Sequence, residues 1–227
     1  MKKLKKITMI KFPAQEVVIK ALLNGMMKAV NNFLVWTNNR LFLSHGPHKI
    51  ISIHVAQEIA TIDNAPEIFI DATIADILRC SLNDREAYKE YMHEKQLSQG
   101  SFDITLDDRF EHKNNNDSIS RVIVTVKNGV RNAKQEHLNE IEKICKMLDR
   151  KNSDDSTLDY GVFAFYSDLS NNARKKLHKR LPEIEKKFDE VVKNFSSLKS
   201  KFIHNEIQSI ADSGEWVVGC YVIEPVN

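Results

Sequence analysis

The sequence predicts an α/β protein, a mixed sheet flanked by helices, and two kinds of periodicity predict it. Short apolar runs with strand-like alternation occur at residues 102–106, 122–127, 162–166 and 216–223. Around them lie longer segments whose apolar residues recur every three or four positions, the spacing of one helix face. A polar turn between the first two runs and a helical stripe between the second and third predict strands of one mixed sheet with a helix packed on it.

Each element follows from its own pattern. Over residues 14–37, Val18, Leu22, Met26, Ala29, Phe33 and Trp36 form a helical stripe, read as core or subunit contact. Gly46-Pro47 marks a turn. Residues 50–62 read as a second helix with Ile51, Val55, Ile59 and Ile62 on one side, ended by Ala65-Pro66. Ile68-Phe69-Ile70 is either a strand or the approach to a helix running through Leu78. Residues 84–97 read as a charged helix with Asp84 as its cap, since an Asp side chain accepts from first-turn amides. A polar turn at 111–118 separates the first two strands, and a helix over about 131–149 follows the second. Val130, Ala133, Leu138, Ile141, Ile144, Cys145 and Leu148 form its stripe, which His137 joins as a packed, hydrogen-bonded histidine. Residues 150–157 read as a polar loop. Residues 171–211 read as helical, with a new helix beginning near Pro182, before the final strand. We expect one domain over 1–227: a core at about 50–170, a helical N-terminal segment at 14–38, and C-terminal helices plus a strand at 171–224.

Composition bounds the function. The chain has 227 residues, 42% hydrophobic and 28% charged, with a formal net charge of +2. That balance excludes a uniformly basic nucleic-acid binder, so any DNA contact must come from local clustering. The densest basic cluster is Arg174, Lys175, Lys176, Lys179 and Arg180 around Leu177-His178. It would contact phosphates by displacing counterions, although the acids at Glu183, Glu185, Asp189 and Glu190 favour a solvated helix face. Cys80, Cys145 and Cys220 are odd in number and far apart, which reads as reduced thiols in a cytoplasmic protein without a zinc site. Met1-Lys2-Lys3-Leu4-Lys5-Lys6 lacks a following apolar export segment, and no run is long enough to span a membrane.

The chemistry-bearing residues lie in the hairpin. Along residues 120–127, Arg121, Ile123, Thr125 and Lys127 share one face and Val122, Val124 and Val126 the other. Lys127 is a cation at the end of a buried strand, where lysine is uncommon unless paired or working. Asp103 sits similarly in the short apolar strand upstream. An acid and a lysine on neighbouring strand ends suit metal-assisted hydrolysis.

This arrangement resembles the PD-(D/E)xK nuclease superfamily, in which a hairpin carries Asp on one strand and Glu/Asp-x-Lys on the next, followed by a helix and a strand. Asp103, then Thr125-Val126-Lys127, then the helix and the strand at 160–166 occur here in that order, and the match spans residues 55–166. The resemblance implies a restriction-endonuclease-like fold and a DNA endonuclease dependent on Mg²⁺ or Mn²⁺, with a place in restriction or phage defence.

One position departs from the family pattern. Thr125 stands where the second acid belongs, and a hydroxyl is a neutral, weak ligand for a hard cation. Some restriction enzymes of the superfamily carry Ser/Thr-x-Lys and a Glu about a dozen residues on. Glu140 follows Lys127 at that spacing. At about 100° per residue it lies roughly 80–90° from the stripe centre, on the flank beside the sheet edge. Glu136 is farther round and Glu142 lies on the opposite flank. By the resemblance, Asp103, Glu140 and the Val126 carbonyl would hold the metal, while Lys127 would orient and help deprotonate the attacking water. Thr125 and Glu58, the latter on the helix before the Asp strand, are secondary candidates. The alternative is a catalytically inactive protein of the same fold acting as a DNA-binding or assembly subunit. Its long amphipathic helices would supply a homodimer surface. A third reading makes Thr125 an inactivating replacement of an ordinary glutamate.

Overall fold

A computed structural model of the protein describes residues 11–109, 118–150, 152, 155–210 and 213–226. The basic start of the chain and most of the turn expected at 111–118 lie outside the described residues. The chain begins with α1 (Gln15–Trp36), a single 3-10 turn (Leu43–His45) and α2 (Lys49–Ile59). Next come β1 (Glu67–Thr73), α3 (Ile74–Ser81), α4 (Tyr88–Glu94), β2 (Ser101–Asp107) and β3 (Ser120–Lys127). The rest is α5 (Gln135–Leu148), β4 (Tyr160–Ser170), α6 (Leu177–Val192), β5 (Leu198–His204), β6 (Gln208–Ile210) and β7 (Gly214–Pro225).

The seven strands among the described residues join one mixed sheet in the order β1-β2-β3-β4-β7-β5, with β6 on β7. Strands β1, β2 and β3 are antiparallel neighbours, whereas β3 and β4 run parallel. A parallel neighbour needs a crossover, and α5 lies within that connection. Helices cover both faces. Val122, Val124, Val126, Val162, Ala164 and Tyr166 pack beneath α1 and α2. Ile123, Phe163, Phe165 and Tyr221 face α3, α5 and α6. Burial on both faces explains the nearly continuous apolar runs of β4 and β7. α1 and α2 approach closely at Gly25, where a Cβ would stand 2.5 Å from Val55 Cα.

Several expectations are corrected. The helix expected from about 131 starts at Gln135, because Val130 N–H bonds Tyr166 O and the Arg131 side chain is held by Asp168. The helix expected over 84–97 is confined to Tyr88–Glu94, and Asp84 caps a preceding turn by accepting from Glu86 N–H at 3.1 Å. Pro182 does not begin a new helix; α6 runs through it. Leu177, Leu181, Ile184, Phe188 and Val192 are all buried on one stripe. Each is worth roughly 1.5–3 kcal/mol buried, which together outweighs the ~3 kcal/mol cost of an interior proline. The helical reading of 171–211 also fails beyond Val192, since residues 198–204 and 208–210 are strands pairing with β7. There the sheet's hydrogen bonds override a weak local pattern.

Candidate active site

Strands β2 and β3 pair from Asp107 back to Ile104↔Val124 and then part. At that point Asp103 Oδ2 accepts the Val126 N–H at 2.8 Å. N–H and C=O of one strand residue point to the same side, so the Val126 carbonyl also faces the gap beside Asp103. Thr125 is buried, and its hydroxyl has no hydrogen-bond partner among the described residues. It lies between Val124, the last β3 residue paired with β2, and Val126, whose N–H Asp103 accepts. Lys127 shares its face and ends β3.

From the other side α5 delivers Glu140. Its Oε1 accepts from Lys127 Nζ at 2.9 Å, and its other oxygen is ion-paired with Lys143 one turn on. Side-chain exposures of 29% for Lys127 and 20% for Glu140 leave the pair reachable from solvent. Burial pushes the Glu140 pKa up, but hydrogen bonds from Lys143 and Lys127 outweigh it and hold the carboxyl below its ordinary value. Lys143 also lies over the Phe102 ring, 4.6 Å from its centroid, and donates to Ser101 O at 3.3 Å. The site is thus stitched to the start of β2.

Two residues that the sequence reading missed complete the surroundings. Asp71 of β1 accepts from Lys49, the first residue of α2. The hydrogen bond that Lys49 donates to Asp71 raises the Lys49 pKa, and the Asp103 charge adds to that effect. Asp71 was legible as an acid inside an apolar strand, as Asp103 was. Lys49 carried no signal, since its place depends on how α2 packs. Two cavities flank the segment at residues 99–101 that enters β2. One, of about 490 Å³, is lined by Gln96, Ser98, Glu140, Lys143 and Lys146. The other, of about 610 Å³, is lined by Asp71, Thr73, Tyr88, Lys89 and Met92.

The remaining candidates lie elsewhere. Glu58 pairs with Lys28 of α1. It sits nine residues along α2 from Lys49, about 13 Å at helical rise. In the basic cluster Lys175 pairs with Glu183, and Lys176 donates to Asn171 O at 3.0 Å. Arg180 donates to Arg131 O and to Asn132 Oδ1. Arg174 and Lys179 are exposed. His137 is buried, with Nδ1 2.9 Å from Asn132 O and its ring edge-on to Phe163.

The donors near Lys127 are hard oxygens, which suit Mg²⁺ or Mn²⁺ rather than a soft metal. Among the described residues no group of three or more His, Cys, Asp or Glu side chains could hold a metal ion. The Asp103 carboxylate, bonded at Val126 N–H, is a hard-oxygen donor of the kind a Mg²⁺ site combines with water and phosphate oxygens. No described helix is long and apolar enough to cross a membrane. No family model, no curated protein and no solved structure matches the chain.

Proposed function

We propose that the protein is a metal-dependent endonuclease of the PD-(D/E)xK type that hydrolyses phosphodiester bonds in DNA. The observation that carries this reading is the meeting of Lys127 with Glu140 at 2.9 Å, beside the point where β2 and β3 part around Asp103. The order of β1, β2, β3, α5 and β4, with β3 parallel to β4, supports a restriction-endonuclease-like core. Asp103, Glu140 and the Val126 carbonyl would hold Mg²⁺ or Mn²⁺, which when bound supplies Lewis-acid polarisation and a more acidic water. Lys127 directs its ammonium at the attacking water and at the phosphate oxygens as negative charge builds on them. Glu140 keeps that ammonium in place, and Asp103 is fixed by its bond to the Val126 N–H. Lys143 and Lys49 add positive charge on either side, where a phosphodiester backbone would lie along the flanking cavities.

A second reading, an inactive protein of the same fold that binds DNA or an assembly partner, is favoured by one observation. Glu140 is committed to two lysines, and the remaining position, Thr125, is neutral. Cleavage assays on varied DNA with Mg²⁺ or Mn²⁺ decide between the two. Active enzyme should lose about 10²–10⁴-fold in kcat on Lys127→Ala while retaining DNA binding, and Glu140→Ala should abolish cleavage through loss of metal. Absence of metal-stimulated cleavage by the wild-type chain would sink the endonuclease reading.

A further inference from the structure

Asp71 has φ +58° in the middle of β1. This is the left-handed region, which L-residues other than Asn and Asp seldom occupy and which costs free energy to hold. The β1–β2 register is the same on both sides of it, Ile70↔Ile104 before and Ala72↔Phe102 after. Asp71 therefore stands directly across from Asp103.

Face alternation breaks at that pair. Residues two apart on a regular strand share a face, yet Ile104 and Leu106 join the core beneath α1 and α2, whereas Phe102 joins the opposite core. On β1, Ile68 and Ala72 divide in the same way. The ribbon turns over at Asp71 and Asp103. Continued straight, the β2–β3 register would bring Phe102 opposite Val126. Instead the pairing stops at Ile104↔Val124, and Val126 N–H is met by the Asp103 carboxylate. The Asp71 side chain ties the turned ribbon to α2 through Lys49.

We propose that Asp71 is a positioning residue for Asp103: its left-handed backbone turns the β1–β2 ribbon so that the Asp103 carboxylate, rather than the β2 main chain, meets Val126. Its consequence for cleavage rests on the endonuclease reading, but the geometric claim does not.

The test uses the full chain and the Val126 amide, which reports the Asp103 bond without metal or DNA. Asp71→Gly keeps the left-handed backbone available while removing the side chain and its carboxylate. Asp71→Val opposes that backbone. The amide shift of Val126 by NMR and its hydrogen-exchange protection should stay near wild type in Asp71→Gly. In Asp71→Val the shift should move, and protection and Mn²⁺ affinity should each fall about tenfold or more, as for loss of an outer-shell partner. If Asp71→Val fails to fold, Asp71→Ala takes its place, with the same signs. Cleavage, where present, should fall in kcat more than KM should rise. A folded Asp71→Val or Asp71→Ala with an unchanged Val126 amide overturns the proposal. So does equal loss in the Gly and Val variants, which would assign the effect to the carboxylate and not the backbone. A wild-type chain that never cleaves DNA, but whose Val126 amide responds as stated, refutes the endonuclease reading alone.

Discussion

Thr125 and His137 show how differently two buried polar side chains are placed. The Thr125 hydroxyl lies buried with no hydrogen-bond partner among the described residues, on the face it shares with Lys127. A carboxylate there would add hard-oxygen charge beside Asp103, at the cost of crowding a packed position. We expect Thr125→Glu to bind Mn²⁺ more tightly and to cleave at least as fast, while losing roughly 1–3 kcal/mol of stability to overpacking. Calorimetric titration and thermal melts would show both, and unchanged Mn²⁺ affinity would exclude a metal beside residue 125. His137 is instead fully packed, and burial lowers its pKa from the ordinary 6.5. Because the unfolded chain takes up this proton more readily, the histidine's contribution is present above about pH 6.5 and is lost as pH falls toward its depressed folded pKa. His137→Gln should flatten the dependence of unfolding free energy on pH between about 7 and 5. Denaturant titrations at several pH values measure it, and an equal slope in both proteins would refute it.

Helices reach this site through close contacts that propensity alone does not foresee. Replacing Gly25 by alanine in α1 would ordinarily favour the helix by about 1 kcal/mol. Here the new Cβ meets the Val55 Cα of α2, a backbone atom that cannot move aside without shifting the helix. Steric cost wins, so Gly25→Ala should lower stability by roughly 1–3 kcal/mol in chemical denaturation. A gain would mean that α1 and α2 separate freely. The same packing positions the start of α2, from which Lys49 reaches Asp71. On the opposite face α5 is held by Ile141, Ile144, Cys145 and Leu148, all buried, and this fixes the direction in which Glu140 leaves the helix.

At the scale of the whole molecule, one sheet serves two cores. Strands β3, β4 and β7 contribute side chains to both faces, so neither core can melt while the other keeps its floor. Unfolding should therefore be a single transition. Far-ultraviolet circular dichroism and the fluorescence of Trp216, buried in the core beneath α1 and α2, should give coincident midpoints. Two separated midpoints would show that the faces unfold independently. The outer strands differ in character: β5 presents exposed Lys199 and Lys201 at its edge, a common defence against edge pairing. The opposite edge, β1, exposes Phe69 and Ile70.

Period within the sequence was sufficient to locate β2, β3, β4 and β7 and to set Asp103 and Lys127 on neighbouring strands, and helical angle put Glu140 on the flank of α5, while the spacing that singled Glu140 out came from the family resemblance. Those features depend on alternation over a few residues or on angles about one helix, which are local quantities. What lay beyond local reach was decided by tertiary structure. The strands at 198–204 and 208–210 form because β7 offers them a hydrogen-bonding partner. α6 continues through Pro182 because its whole stripe is buried at once. Arg180 donates to the loop before α5, a contact between residues 49 positions apart. Asp71 and Lys49 join the site only because a turned β ribbon and the start of α2 meet there. Such contacts join residues distant in the chain, and their free energy exists only when both sides are folded.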